Sequence, residues 1–446
     1  MVNLKMMVDY SPRVLLLELL VLQVWIHDCT SSHIDELTEK LFSGYNLKAR
    51  PVLRDSDVVN VTFDLALRHV MKVNEKSEVL TTNVWVKQYW NDPRLVWNKT
   101  EYRGLDRIIL EPNRLWLPEI FILNSATANM EANGEGSDLV VQHNGNISWL
   151  NPAVIQSSCT IDIVHFPFDD QVCEIRFGSW SFTTSYVDFI AAGDSAELSH
   201  YQENGEWILL SSKPVRLVKQ YDCCDGWYPE VAYKIHLRRR TLYYIMNFIL
   251  PCILIAVLTH LVFLLPPESG ERMSFGVTVL LSFTILILML MDKLPPTSNA
   301  IPLLGVYYAC TIIEVSLAMF VACLLMRIYY PENSSATLPI WAKVFILNYC
   351  ARIVGLKDAA DRMKQGLVIQ GLQQAKLRDN LDDSNPTTNK MNILTDSILR
   401  KEDAEGIQEE WRILSVILNR VFALIYLATI IVTLLAVMIQ APRFTD

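Results

Sequence analysis

Basic charge is in short supply. Lys and Arg number 39 against 48 Asp and Glu, a formal net charge of −9, and that balance argues against nucleic acid as a partner. An acidic surface favours cations instead. The short arrays on which enzymes are built are missing as well. The chain has no phosphate-binding glycine loop, no nucleophile elbow and no His/Cys set at metal-ligand spacing. None of the nine cysteines stands with a pair of histidines at ligand distance, so the spacing does not suit zinc. Neither a metal nor a cofactor is expected. What the chain does have is apolar residues, 51% of the total, in four concentrated segments, all but one within residues 241–330.

The first 29 residues read as a signal peptide. Lys5 and Arg13 supply positive charge, Val14–Trp25 is an apolar core interrupted by Glu18, and Asp28 to Ser31 form a polar exit. The core is too short to cross a bilayer. Export would place the following region outside the cell, and three N-x-S/T sequons agree, at Asn60, Asn98 and Asn146. A fourth at Asn333 falls in expected cytoplasm and should be unused. Cys29 leaves with the signal or sits at its edge. Cys252, Cys310 and Cys323 fall in expected membrane helices and Cys350 in an expected cytoplasmic segment. Cys159, Cys173, Cys223 and Cys224 remain, an even number in an oxidising compartment, which implies two disulfides. Adjacent Cys223 and Cys224 form either a vicinal bridge or one free thiol beside one bridged elsewhere.

Residues 31–42 carry a helical apolar face, Ile34, Leu37, Leu41 and Phe42. After Pro51 the texture becomes short β-branched and aromatic runs: VVNVTFDLAL, EVLTTNVWVKQYW, RLWLPEIFIL, DLVVQHNGNISWL, TIDIVHF, CEIRFGSWSF, GEWILLSS and EVAYKIHLRRR. Turn residues break them, and many short strands without intervening helices make a sandwich. The fold class is therefore multi-domain: an extracellular all-β sandwich with an N-terminal helix over residues 30–240, a four-helix transmembrane bundle, and a partly helical intracellular segment. The spans are expected at 243–265, 271–292, 301–326 and 413–440. The intracellular segment, 331–411, should hold an amphipathic helix at 339–356, bearing Trp341, Phe345 and Ile346 beside Lys343 and Arg352. A disordered polar stretch at 379–390 and a charged helix at 392–412 should follow. Residues 441–446 are an extracellular tail. Pro251 inside the first span requires packed neighbours. Glu314 inside the third span requires a hydrogen-bond partner, with His260 a candidate.

The second span carries the most specific pattern. Acids close it at both ends, Glu271 and Asp292. Ser274, Thr278, Leu281 and Ile285 follow steps of four, three and four and share one helix face. A hydroxylated stripe turning aliphatic between acids suits a helix that lines a water-filled pore.

Cys159 and Cys173 enclose TIDIVHFPFDDQV, with Phe166-Pro167-Phe168-Asp169 at its centre. This resembles the signature loop of the Cys-loop, or pentameric ligand-gated, ion channels. YDCCDGWYPEV, RRRTLYY, PPESGE and VTVLLSFTI are similar to the nicotinic acetylcholine receptor branch, its α-type subunits in particular. The resemblance implies bridges Cys159–Cys173 and Cys223–Cys224. It implies assembly with four further subunits, as a homo- or heteropentamer among membrane lipids, and a small cationic agonist, with acetylcholine the first candidate. The permeant ions are Na+ and K+, with Ca2+ open. The same resemblance makes Trp180, Tyr221 and Tyr228, with Cys223 and Cys224, the principal agonist face. Trp85, Val140 and Leu150 become the complementary face offered to a neighbour. Leu123 stands where the nicotinic pattern has Tyr, so the aromatic box lacks a phenol, and Lys87 and Trp227 are unusual nearby. Coupling falls to Glu75 paired with Arg239, and to Phe166, Pro167 and Phe168 resting on the linker around Pro295 and Pro302. Glu268 and Glu271 become inner acid rings, Met289 extends the apolar collar of Leu281 and Ile285, and Asp292 forms the outer ring.

Overall fold

The computed structural model describes residues 33–128, 137–296, 300–330, 345–356, 361 and 389–440. The signal peptide, the Asn333 sequon, residues 339–344 of the amphipathic helix, most of the polar stretch and the C-terminal tail lie outside them. Two compact units emerge. The first takes in most of the chain before Arg238. The second holds Arg238 onward together with residues 75–77 and 161–171.

The first unit opens with helix α1 (His33–Phe42), whose Leu37 is fully buried. Ten strands follow: β1 (Val59–Asn74), β2 (Val79–Val96), β3 (Arg107–Leu110), β4 (Phe121–Ile122), β5 (Leu139–Gln142), β6 (Asn144–Ser158), β7 (Asp170–Gly178), β8 (Val187–Ala191), β9 (Trp207–Tyr221) and β10 (Cys224–Arg239). They form two sheets, ordered β3-β5-β6-β2-β1-β8 and β4-β7-β10-β9. In β2 each residue from Leu80 to Trp90 in even register is buried while Trp85, Lys87 and Tyr89 look outward, the period-two pattern of a sheet with one wet face. Phe63, Phe177 and Tyr233 fill the space between the sheets, with Phe63 and Phe177 ring centroids 4.6 Å apart. Two expected strands differ. RLWLPEIFIL leaves the short turn Pro112–Arg114, runs irregularly to Ile120 and forms only the two-residue β4. TIDIVHF is irregular and belongs to the second unit, because the Gln171 side chain takes the backbone groups of Asp162 that a strand would pair.

The second unit contains helices α2 (Leu242–Leu264), α3 (Arg272–Met291), α4 (Leu303–Tyr329) and α5 (Asn389–Gln440). All four have a stretch long and apolar enough to cross a membrane; in α5 it lies within Glu405–Gln440. The first two match the expected spans to within a residue, and α4 runs three residues further than expected. The charged helix and the fourth span are not separate, since α5 is continuous through both. A π-helical turn, Ile245–Ile249, precedes Pro251 in α2, so the amide that proline lacks falls at a break in the ladder. Ala256 and Phe263 of α2, Ala318 and Leu325 of α4, and Ala423, Tyr426 and Ile430 of α5 form one core. Helix α3 approaches α4 closely, because a methyl at Gly276 would overlap the Met319 sulfur. The described end of the amphipathic helix packs Ile346 and Ala351 against Leu414 and Ile417 of α5. Glu314 accepts a 2.5 Å hydrogen bond from Thr433 of α5, not from His260, whose Nδ1 is buried with no hydrogen-bond partner among the described residues.

Candidate functional site

Three arrangements carry the chemistry, each inside one unit. In the first unit, β9 and β10 form a hairpin whose turn carries the Cys223–Cys224 disulfide. Beneath it lies a cavity of about 410 Å³ lined by Leu123, Arg176, Ser179, Trp180, Lys219, Tyr221, Cys223, Cys224 and Tyr228. Six of these nine were expected from the sequence. Trp180 is 69% exposed, and its loop is held by Glu119. That carboxylate accepts from Ser179 Oγ (2.8 Å), from the Ser181 amide (2.9 Å) and from Ser181 Oγ (3.1 Å). Tyr221 and Tyr228 meet edge to face with centroids 5.7 Å apart. Leu123 packs so close to Gly178 that a Cβ there would stand 2.7 Å from its methyl. Three aromatic faces therefore open into one concave space, the arrangement that holds an organic cation.

Arg176 and Glu230 were not foreseen. Glu230 is 1% exposed and accepts from the Tyr221 hydroxyl (2.5 Å) and from Arg176 Nη2 (2.5 Å), with Lys219 Nζ at 3.9 Å. An acid in YPEVAY followed by buried Val231 and Ala232 was the available signal, since a buried carboxylate requires partners. Burial together with the Glu230 hydrogen bond pushes the Tyr221 phenol up to about 12. The sign follows directly: a raised phenol favours the neutral form in the folded protein, so its stabilisation is full below pH ~10 and is lost as pH rises through about 12. The wild-type protein should therefore lose more thermal stability between pH 10 and 12 than Tyr221→Phe does, read as melting temperature in detergent. Equal losses would remove Tyr221 from the account.

Trp85, Val140 and Leu150 do not line this cavity. They lie on the six-stranded sheet, Trp85 opposite Ala66, Leu150 opposite Lys87, and Val140 opposite Ser148. Lys87 does not add free positive charge. Its ammonium donates to Asp64 (3.0 Å) and to Glu197. Burial would lower its pKa, but the hydrogen bonds and charges of these two acids outweigh that and raise it.

In the second unit, Glu271, Ser274, Thr278, Leu281, Ile285, Met289 and Asp292 are all exposed along α3, while Arg272, Gly276, Val279, Phe283 and Leu290 are buried opposite them. The helix thus presents the sequence-defined stripe on its free face. Thr278 Oγ1 donates to the Ser274 carbonyl (2.9 Å), which leaves its lone pairs outward. Arg272 turns inward and donates to the Leu265 carbonyl (2.6 Å) and to Asn419 of α5 (3.2 Å). Glu268 accepts from the Tyr329 hydroxyl (2.8 Å), and Asp292 pairs with Lys76 (3.4 Å).

The third arrangement centres on Arg239, 1% exposed. Its Nη1 donates to Glu75 (2.5 Å) as expected. A second acid was missed: Asp169 accepts from Nε (2.8 Å) and Nη2 (3.1 Å) in a fork. The guanidinium also lies over the Phe166 ring at 4.9 Å and the Tyr244 ring at 5.2 Å. Burial would lower its pKa, yet Asp169 and Glu75 more than offset this and hold it above the usual range. Phe168 packs on Leu303, Ile245, Ile249 and Val437, and the Leu303 amide donates to the Val164 carbonyl (2.9 Å). The loop tip therefore meets the start of α4 directly after Pro302.

Residues 34–241 match the family described as neurotransmitter-gated ion-channel ligand binding domain, and residues 248–410 match the neurotransmitter-gated ion-channel transmembrane region. The human neuronal acetylcholine receptor subunit alpha-3 is 36% identical over 343 residues, 77% of this chain and 67% of that one. Subunit alpha-9-I of Oncorhynchus mykiss is 39% identical over 76% of this chain and 59% of its own length. Subunit alpha-4 of Gallus gallus is 37% identical over 74% and 53%. The chain thus spans about half to two thirds of the length of these relatives.

Proposed function

Since the chain belongs to the neurotransmitter-gated ion-channel family, similar to neuronal acetylcholine receptor α subunits, we propose that it is a subunit of a cation-selective pentamer opened by a small cationic amine. The observation that carries this reading is the cavity of Trp180, Tyr221 and Tyr228 under the Cys223–Cys224 turn. A quaternary or protonated amine is held there by ring quadrupoles, each good ring contributing roughly 0.5–2 kcal/mol. Acetylcholine is the first candidate, although Leu123 supplies no phenol. The surface carrying Trp85, Val140 and Leu150 is the one a subunit turns towards its neighbour's cavity.

Fivefold symmetry turns each residue of the α3 stripe into a ring. Glu268 and Glu271 concentrate and select cations at the inner mouth, and Asp292 does so at the outer one. Ser274 and Thr278 wet the narrow half, and Leu281, Ile285 and Met289 form an apolar collar that closes by dewetting. Glu75, Asp169 and Arg239 are continuous in sequence with β1–β2, β7 and β10, so loop closure over agonist reaches them along the strands. The receptor is placed in the plasma membrane at synapses, with both termini outside, and permeant Na+ and K+ flow inward and outward respectively. The test is expression in oocytes with an amine panel and ion-substituted reversal potentials. Agonist currents that reverse with the Na+ and K+ gradients support the reading, and currents that follow chloride overturn it.

A further inference from the structure

The outward face of the six-stranded sheet holds a feature that the proposed function leaves unused. Trp85 is 38% exposed, on β2 opposite Ala66. Two residues along β1, Arg68 lays its guanidinium over the Trp85 ring, the carbon 4.3 Å from the centroid. Among the described residues no carboxylate pairs with Arg68, and its side chain meets the Trp85 ring alone. Asp64 and Glu197, the acids on this face, are both bonded to Lys87 and not to Arg68. The cation that lies on the Trp85 ring is therefore Arg68, not Lys87.

An indole attracts a cation because its face is negative. A guanidinium stacks on such a face well and is always charged. Tethered on the adjacent strand, it is present at the ring without any association cost, whereas a free amine has to be captured from solution. A cationic agonist seeking this ring must displace Arg68 or bind beside it against like charge.

We propose that Arg68 is a resident cation that closes the Trp85 face to amine agonists, so that this subunit binds agonist through its Trp180–Tyr221–Tyr228 cavity opposite a different kind of subunit. The inference rests on the reading of that cavity as the agonist site. It makes the chain a one-sided contributor and its agonist-sensitive assemblies heteropentamers. Arg68 is then a determinant of partner choice rather than a packing residue.

Saturation binding of tritiated acetylcholine to membranes of cells expressing this chain alone tests it, with surface receptor counted through an epitope tag. Wild type should bind weakly. Arg68→Gln and Arg68→Leu, which remove the charge, should each tighten Kd by about tenfold or more, while Arg68→Lys, which keeps it, should stay near wild type. Trp180→Ala in the Arg68→Gln background should abolish the gain. An unchanged Kd in Arg68→Gln and Arg68→Leu, with binding still lost on Trp180→Ala, overturns the role of Arg68 and leaves the cavity reading intact. Binding that survives Trp180→Ala overturns the cavity reading itself. Absence of saturable binding in every variant also counts against Arg68, since opening the Trp85 face would then have restored nothing.

Discussion

Arg239→Gln should abolish surface expression, or leave receptors that bind agonist and do not open. The substitution removes a buried charge from between two acids. Asp169 is 4% exposed, and the Glu75 side chain is 14% exposed. Breaking a buried pair by removing one member costs about 3–5 kcal/mol, because the remaining charge is left uncompensated. That is a large share of the roughly 5–15 kcal/mol by which a domain is stable. Were Glu75 and Arg239 a simple pair, as the family resemblance implies, exchanging their charges would restore function. The structure predicts otherwise. With Arg239→Glu and Glu75→Arg combined, the new carboxylate faces Asp169, which in the wild type grips both Nε and Nη2. The double variant should therefore stay non-functional, and Asp169→Asn should couple to Arg239→Gln more strongly than Glu75→Gln does in a double-mutant cycle. Surface counts and agonist currents report both. A charge-swapped receptor at wild-type level would make Asp169 a bystander.

That second acid illustrates where the sequence was legible and where it was not. Span positions follow from apolar length, and the first three helices begin and end within three residues of the expected bounds. The sandwich followed from β-branched runs, and the cavity residues from the resemblance to the nicotinic branch. TIDIVHF was misread because Ile161, Ile163 and Phe166 are apolar, as a strand requires. Their burial does not come from a sheet, and the backbone bonds go to Gln171. The fourth span merged with the charged helix because nothing between them breaks the ladder. Trp411, Leu414 and Ile417 bury one face of that stretch against the described end of the amphipathic helix. Glu314 chose Thr433, 119 residues away, over the nearer His260, and packing of that kind has no local signal. Arg68 escaped notice for a related reason. Its neighbour on the sheet is set by strand register, and only the pairing of Ala66 with Trp85 brings the two side chains together.

Leu281→Ser should produce channels that leak without agonist, or that open at about tenfold lower agonist concentration or less. Leu281 is 60% exposed on the free face of α3, between Thr278 and Ile285. Five copies around an axis would place five isobutyl groups at one level, where a narrow apolar ring expels water and stops ions. Burying one such side chain is worth about 1.5–3 kcal/mol, and all five copies act on one opening equilibrium. If even a fifth of that total separates closed from open, the equilibrium moves by roughly tenfold or more. A hydroxymethyl group keeps the ring wet and removes the difference. Val279→Ser is the control, because Val279 is 6% exposed on the opposite face. It should lower receptor number through lost packing and leave the agonist dose–response unchanged in the receptors that remain. The outcome that defeats the pore assignment is the reverse pattern, with Leu281→Ser silent and closed at rest and Val279→Ser leaking. Because Glu271 lies about three turns below at the start of the same exposed stripe, Glu271→Gln should reduce cation preference in reversal potentials while leaving the resting channel shut. Such a result would separate ion selection from pore closure along α3.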